Sequence, residues 1–438
     1  MTVKTGGHAI VIGGGLAGLL SAHVLTSHFD EVTVIERDQP DDGPHSTSPQ
    51  RDHLHLLWGR GSATIDRLVP GFGRHLTDHG AVHLSLPRDV GWLGPAGWLR
   101  PVAAARAVTC GKALIDTAVR HHMATVGRLC PATVTGLIIQ RRRVTGVRYL
   151  LPADPTPHSL PADLVIDASG RASRTPHWLR SEGLPPPREN VLNAGFSYSS
   201  RRYKLPPGLL AERKGLFLPP DAHGVRRGGA LYRQEEGQVI CTMAGIGDDA
   251  PGTDPESFLD FARDLRSPAI HQVIRDAEPL NPVATFRRTV NRRREFGDPA
   301  RTPEGLIAVG DAACTLNPLY GHGMSVAAFQ AAALHRHLTS QGPHLDTARL
   351  QRALDACANS AWAIAAGEDR QYLAAALTSP RTWLTHHFVR TIAAASTRQS
   401  AACQSLISVI ALDRPPLALT RASAALITGT RALHQQHH

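Results

Sequence analysis

The stretch HAIVIGGGLAGLLSAHVLTSHFDEVTVIE, residues 8 to 36, decides the fold of this chain. Its two ends, residues 8–12 and 32–36, are short apolar runs that predict β-strands. Apolar positions in residues 16–27 recur with the helical period and predict a helix between those strands. A strand, a glycine turn, a helix and a second strand make a βαβ unit, which begins a parallel α/β sheet.

The glycine turn has the spacing of a dinucleotide-binding loop. Gly13 permits a tight turn, Gly15 lets the backbone approach a pyrophosphate at the positive helix end, and Gly18 allows close packing of helix and strand. Glu36 ends the next strand about 20 residues further on, where an acid accepts hydrogen bonds from ribose hydroxyls. Because this carboxylate would repel a 2′-phosphate, the loop predicts FAD or NAD and not NADP.

The rest of the chain predicts more strands and then helices. Residues 164–168 and 306–309 are wholly apolar and predict buried parallel strands. Residues 134–151 predict a hairpin, and residues 192–296 alternate like strands that cover a cavity. Everything after about residue 347 is alanine-rich and predicts helices.

Bulk composition limits the function classes. With 438 residues and 42% hydrophobic residues, the chain is large enough for two packed domains. The net charge of +10 comes mostly from scattered arginines with no basic block interleaved with aromatics, so we expect anionic cofactors and no nucleic acid. The six cysteines contain no CxxC pair, and the apolar stretch 9–20 has no basic n-region followed by a cleavage site, which favours a cytoplasmic protein.

Several catalytic motifs are absent from the sequence. It contains no HExxH cluster among its 24 histidines, no GxSxG elbow and no Walker loop, so no metal site, hydrolase or NTPase is predicted. The Trp-x-Trp-x-Ile-Pro signature of flavin halogenases is also absent.

A second motif decides between FAD and NAD. Gly310 and Asp311 follow a predicted buried strand, and a loop rich in glycine and proline then precedes a helix. This segment resembles the GD box of class A flavoprotein monooxygenases, in which the aspartate binds the ribityl chain and the loop borders the flavin ring. A helix amino end and bare backbone N–H groups at such a loop stabilise the negative charge of a reduced flavin.

The resemblance extends to further segments. Residues 162–176 are similar to the middle signature of the same family, and residues 50–58, 291–294 and 362–369 resemble the branch that contains bacterial polyether epoxidases. The resemblance implies non-covalent FAD, reduced by NADPH or NADH directly or through a flavin reductase, and capture of O2 as a flavin C4a-hydroperoxide. It implies epoxidation of an alkene in a large hydrophobic polyketide or terpenoid, free or carrier-bound, in natural-product biosynthesis.

The predicted fold class is α/β, with a Rossmann-like FAD-binding domain interleaved with a β-sheet substrate domain, plus a C-terminal helical region. We assign residues 1–80, 103–190 and 297–346 to the FAD-binding domain, 81–102 and 191–296 to the substrate-binding domain, and 347–438 to the helical region.

The candidate site residues follow from these motifs and from the resemblance. The predicted cofactor-binding residues are Gly13, Gly15, Leu16, Ala17, Gly18, Glu36, Arg37, Arg51, Lys112, Val134, Ala168, Gly170, Asp311, Gly321, Gly323 and Met324. No acid-base pair is evident, and the candidates beside the flavin ring are Pro318, Gly321, His322 and Gly323.

Three departures from the family pattern leave alternatives open. His322 stands where many relatives carry Gln, Lys112 where many carry Arg, and Asp52 where an Arg is usual before His53. The alternatives are a non-redox cyclase that keeps FAD as a structural part, a hydroxylase of an aromatic substrate, and an alkene reductase of the geranylgeranyl-reductase type.

The C-terminal region admits two interpretations. After Asp369 the only acid is Asp413, while Arg381, Arg390, Arg398, Arg414, Arg421 and Arg431 give this region a one-sided positive charge. Such helices either cap the substrate cavity with a solvated arginine face or rest on an anionic membrane surface or a carrier-bound partner.

Overall fold

A computed structural model describes residues 6–38, 52–122, 127–287, 289–340, 345–373 and 380–420. In these residues the strands are, in chain order, β1 (His8–Ile12), β2 (Glu31–Glu36), β3 (Leu56–Trp58), β4 (Val82–Pro87), β5 (Val90–Gly94), β6 (Gly97–Trp98), β7 (Ala103–Thr109), β8 (Arg128–Pro131), β9 (Thr133–Gln140), β10 (Arg143–Leu151), β11 (Asp154–Pro161), β12 (Leu164–Asp167), β13 (Arg188–Leu192), β14 (Phe196–Lys204), β15 (Gly215–Leu218), β16 (Gly228–Arg233), β17 (Gln238–Ile246), β18 (Glu278–Pro279), β19 (Ala284–Phe286), β20 (Asn291–Glu295), β21 (Leu306–Ala308) and β22 (Cys314–Thr315).

The same residues contain the α-helices α1 (Leu16–Thr26), α2 (Gly59–Leu68), α3 (Phe72–Asp78), α4 (Lys112–His122), α5 (Thr175–Ser181), α6 (Pro255–Arg263), α7 (Ala269–Ile274), α8 (Gly323–Ser340), α9 (Thr347–Ala356), α10 (Asn359–Arg370), α11 (Pro380–Ala395) and α12 (Ser400–Ile410).

A parallel sheet in the order β21-β12-β1-β2-β8 forms the cofactor half of the molecule. Ile12 at the end of β1 is level with Ile35 on β2 and with Asp167 on β12, and Asp167 is level with Ala308 on β21. The carboxyl ends of these strands therefore meet at one edge, where ligands bind in open α/β sheets. The predicted α/β fold class is confirmed, whereas β8 and β11 were not predicted.

Both faces of the parallel sheet are buried. Ala9 and Val11 pack with α1 and α8, while Ile10 and Ile12 pack with β9, β10 and Trp178 of α5. Successive strand side chains point to opposite faces, so one apolar run fills two cores.

An eight-stranded sheet forms the second half, in the order β18-β14-β17-β16-β15-β5-β6, with β19 also paired to β14. One of its faces packs against α6 and α7 and includes Leu216, Leu231 and Met243. The alternate residues Phe217 and Tyr232 face a large cavity. The proposed domain boundaries stay a prediction, and sheet pairing crosses one of them, because β4 pairs with β7.

The C-terminal helices pack onto both halves. Cys403 and Ile407 of α12 lie in one buried cluster with Leu84 and Leu86 of β4, and α11 packs on α12 through Ile392. No helix in the described ranges is long and apolar enough to cross a membrane.

Candidate cofactor and substrate site

One cavity of about 930 Å³ extends between the two sheets and the C-terminal helices. It begins at the glycine turn after β1 and passes the turn after β21 and the loop before α8. It continues to the inner face of the eight-stranded sheet and to residues of α10, α11 and α12. An elongated ligand and a second molecule can therefore meet within one continuous cavity.

The glycine turn has the geometry that close backbone approach requires. Gly13 adopts φ +105°, which L side chains rarely adopt. A Cβ on Gly15 would meet nothing within 4 Å, so the backbone there is open to the cavity. A Cβ on Gly18 would lie 1.9 Å from the Gly13 carbonyl oxygen, so Gly18 is the point at which helix and turn touch.

Glu36 is tied to this turn. Its Oε2 accepts a hydrogen bond from the Gly14 N–H at 2.5 Å, and its Oε1 accepts one from the Asp38 N–H at 3.0 Å. The carboxylate also lines the cavity, which is the position expected of a ribose acceptor. The sequence predicted the ribose contact, and the structure adds that the acid holds the turn in place.

Asp311 lies on the cavity wall in a single 3₁₀ turn, Gly310–Ala312, directly after β21. Gly310 has φ +57°, which aims the turn back over α1, and its N–H donates to Gln330 Oε1 at 2.7 Å. Burial raises the pKa of Asp311, and the Arg171 guanidinium 3.8 Å away opposes that rise. A carboxylate in this setting gains from hydroxyl donors such as those of a ribityl chain.

The loop before α8 is shaped by its own side chains. The Asn317 side chain accepts from the Leu319 N–H at 3.2 Å, which starts the 3₁₀ turn Pro318–Tyr320, and Gly321 ends it at φ +63°. His322 is 1% exposed, and its Nε2 donates to the Ile410 carbonyl at 2.8 Å. Burial lowers the pKa of His322 to about 4, so the ring is neutral at neutral pH.

A buried carboxylate of another element, helix α10, holds this loop in place. Asp369 of α10 accepts hydrogen bonds from Asn291 Nδ2 at 2.6 Å, Asn317 Nδ2 at 3.0 Å and the Tyr320 hydroxyl at 2.9 Å. Asn291 Oδ1 in turn accepts from the Asn317 N–H at 2.8 Å. Two segments that the sequence analysis singled out, 291–294 and 362–369, thus meet under the loop before α8.

Cationic side chains line the cofactor end of the cavity. Lys112 begins α4 and pairs with Asp116, and Arg171 donates to the Leu316 carbonyl at 3.3 Å while its guanidinium carbon lies 5.5 Å from the Phe286 ring centroid. Arg174 lines the same wall. These charges favour a ligand with phosphate groups.

The segment before β3 contacts the second sheet. Asp52 pairs with Arg202 at 2.7 Å, and His53 Nδ1 lies 2.7 Å from Ser200 Oγ. Burial lowers the pKa of His53 to about 4 and that of His55 to about 3, so both rings are neutral. In the described part of the chain no three His, Cys, Asp or Glu residues are grouped to hold a metal ion.

The structure brings most of the predicted site residues together. The cavity wall includes Gly13, Gly15, Leu16, Ala17, Glu36, Arg37, Lys112, Val134, Ala168, Gly170, Asp311, Pro318, Gly321, His322, Gly323 and Met324. Gly18 lies behind the turn, in contact with Gly13. Arg51 falls outside the described residues.

Several wall residues were not predicted from the sequence. Arg171 and Arg174 lie within residues 162–176, which are similar to the family's middle signature, so their charge was a usable signal. Glu368 lies inside the segment 362–369, which resembles the polyether epoxidase branch, whereas Tyr372 and Arg390 lie outside the motifs. Only packing of the C-terminal helices brings these three side chains to the cavity.

These features fit FAD. The open backbone at Gly15 leaves room for a pyrophosphate, Glu36 stands at the ribose position, and Asp311 lies further along the same cavity for the flavin half.

Solved structures of flavin-dependent enzymes share this fold. The flavin-dependent brominase Bmp2 superposes with a TM-score of 0.67 at 15% sequence identity, over 98% of this chain and 100% of that one. PqsL, a probable FAD-dependent monooxygenase from Pseudomonas aeruginosa, superposes with a TM-score of 0.60 at 15% identity, over 91% of this chain and 99% of that one. At such identity the likeness concerns the fold alone.

Two curated proteins are similar in sequence. Protein Rv3254 of Mycobacterium tuberculosis is 29% identical over 395 residues, which cover 86% of this chain and 83% of that protein. Squalene epoxidase 3 of Arabidopsis thaliana is 26% identical over 345 residues, which cover 75% of this chain and 59% of that protein. No family model matches the chain.

Proposed function

We propose that this protein is an FAD-dependent monooxygenase that epoxidises an alkene of a large hydrophobic polyketide or terpenoid intermediate in natural-product biosynthesis. NADPH or NADH would supply the electrons, directly or through a reductase, and O2 the oxygen atom. The observation that carries this proposal is the single cavity that joins the glycine turn, Asp311 and an apolar chamber. The similarity to a squalene epoxidase supports the choice of an alkene substrate.

Bound FAD, once reduced, supplies the activation of O2 and the transfer of one oxygen atom. The protein itself has to bind the substrate, orient its double bond and keep water out of the cavity. Apolar side chains from the eight-stranded sheet and from the C-terminal helices line the chamber, among them Trp92, Phe217, Ile364 and Leu406. They exclude water and hold a hydrophobic substrate by its shape.

The loop before α8 contributes electrostatic stabilisation. The 18-residue helix α8 begins at Gly323 on the cavity wall, and its unpaired N–H groups and dipole favour negative charge there. His322 is neutral and bound to the Ile410 carbonyl, so it adds shape and no charge.

The test begins with the purified protein and its Asp311→Ala variant. We expect a yellow wild type with non-covalent FAD that bleaches under anaerobic NADPH or NADH, alone or with an added flavin reductase. Linear terpenoid alkenes should then gain one oxygen atom only when O2 is admitted. Asp311→Ala should stay folded but lose FAD affinity and turnover. The control Glu278→Ala, on an exposed strand, should keep the fold, the FAD affinity and the turnover of wild type.

Other outcomes identify other functions. FAD that no electron donor bleaches, together with an isomerised product formed without O2, would replace the proposal with the non-redox cyclase. Oxygen inserted into aromatic rings and not into alkenes would indicate the hydroxylase. An alkene reduced under anaerobic conditions would indicate the reductase.

A further inference from the structure

The helical region brings a carboxyl group to the wall of the substrate chamber. Glu368 lies in α10, directly before the Asp369 that anchors the loop before α8, and its side chain lines the cavity. Its Oε2 accepts a hydrogen bond from Gln371 Nε2 at 2.8 Å. Among the described residues, Oε1 has no hydrogen-bond partner.

The neighbouring polar groups are already engaged within the protein. Arg390 of α11 pairs with Asp221 at 2.8 Å, and the Arg266 guanidinium donates to the carbonyls of Gly94, Leu93 and Pro219. The Tyr372 hydroxyl donates to the Pro220 carbonyl at 3.0 Å. Glu368 has one carboxyl oxygen engaged by Gln371 and keeps the other available to the cavity.

The protonation state of Glu368 follows from its surroundings. Burial raises the pKa of Glu368 to about 7, and the negative charges of Asp369 and Asp221 act in the same direction. The Gln371 hydrogen bond and the Arg390 charge oppose this rise. Below pH of about 7 the group is thus mainly a neutral acid with an O–H to donate.

The wall near this acid also includes apolar side chains, those of Ile364 on α10 and of Val389 and Ala393 on α11. A donor that stays unpaired when a ligand displaces water costs free energy, and a bare hydrocarbon offers it no acceptor. A substrate that carries an oxygen at this place would satisfy it.

We propose that Glu368 recognises an oxygen atom of the substrate, in a hydroxyl, carbonyl or ether group, by donating a hydrogen bond to it. The site then selects oxygenated polyenes over bare hydrocarbons. This inference rests on the proposed function in that it takes the chamber to be the substrate site.

The experiment measures binding to the full-length protein with its FAD, by quenching of tryptophan fluorescence, since Trp58 and Trp92 line the cavity. The probes are farnesol and the hydrocarbon that lacks only its hydroxyl group. We expect wild type to prefer farnesol by about tenfold, the effect of one hydrogen bond. The preference should fall as pH rises through about 7, where the carboxyl loses its proton.

Variants distinguish the effect of the acid's hydrogen bond from the effect of the shape of the cavity wall. Glu368→Gln keeps an N–H donor, so it should keep a preference that no longer depends on pH. Glu368→Ala should lose the preference, and the exposed control Glu278→Ala should match wild type. An equal preference in Glu368→Ala, or no preference for the alcohol in wild type, would overturn the assignment.

The FAD content and bleaching of each variant are recorded separately. Protein that holds no reducible FAD, yet prefers farnesol through Glu368, would count against the proposed function alone. A reducible enzyme that epoxidises both probes equally would count against Glu368 alone.

Discussion

Gly15 and Gly18 belong to one turn but lie in different environments. A Cβ atom added at Gly15 would meet no atom within 4 Å. A Cβ atom added at Gly18 would lie only 1.9 Å from the carbonyl oxygen of Gly13. The same substitution at the two positions should therefore have two different effects.

Gly15→Ala should leave the fold intact and weaken FAD binding, because its methyl group enters the space where a pyrophosphate would approach the backbone. Gly18→Ala should instead destabilise the protein by about 1–3 kcal/mol, the usual cost of overpacking. Thermal unfolding of the apoproteins and FAD titration test this contrast. Equal melting temperatures for both variants would contradict it.

The Glu36→Arg variant should not bind FAD. A cation there removes the ribose acceptor and the hydrogen bonds to the Gly14 and Asp38 N–H groups. The control is Glu31→Arg, at the exposed first position of the same strand, which should bind FAD normally. Full FAD occupancy in Glu36→Arg would count against this turn as the adenosine site.

At the element scale, α10 fixes the loop before α8 through one carboxylate. Asp369 is fully buried and accepts hydrogen bonds from Asn291 of β20 and from Asn317 and Tyr320 of the loop. Buried donors that lose their acceptor carry the full cost of desolvation. The position of the loop therefore depends on a helix that is distant in sequence, because Asn317 and Asp369 are 52 residues apart.

Asp369→Asn should destabilise the loop by about 1–3 kcal/mol, because an amide offers one acceptor oxygen to three donors and adds an N–H₂ group. We expect weaker FAD binding and faster proteolysis of this loop, measured on the purified variant. Asp355→Asn on α9 is the matched control, a carboxyl whose burial also raises its pKa to about 6 but which contacts Gln351 and not this loop. An Asp369 variant with unchanged FAD affinity would refute the anchoring role.

At the scale of the whole molecule, the C-terminal helices form part of the cavity wall. Arg390 pairs with Asp221, which follows β15 of the eight-stranded sheet, and Ile407 packs in one cluster with Trp92 and Tyr232 of that sheet. These contacts favour one interpretation of the region, a lid on the cavity, and weigh against the other, a tail that binds a membrane surface. Arg421 and Arg431 fall outside the described residues, as does the side chain of Arg381.

The lid interpretation predicts no salt-sensitive membrane binding. The full-length protein should not co-sediment with anionic vesicles at low ionic strength, and a chain that ends at Arg381 should be insoluble or bind no FAD, because it exposes the surface under α12. Co-sedimentation that disappears as salt shortens the Debye length would support surface binding instead.

Local chemistry explains what could be predicted. The glycine turn, Glu36 and Asp311 follow strands whose apolar runs are visible in the sequence, so the cofactor end of the cavity could be located from them. Arg171 was missed although it stands beside Gly170, whereas Glu368 lies in a helix whose packing partner the sequence does not name.

The sequence by itself determined the βαβ start, the parallel strands and the dinucleotide turn, because each depends on residues that are neighbours along the chain. Only the tertiary structure decided that Leu231 enters the core while Tyr232 faces the cavity, and that Asn291 meets Asp369 across 78 residues. Alternation with a period of two shows which residues share a face of a sheet, but not which face a second layer will cover. That choice depends on how the sheets and helices pack together.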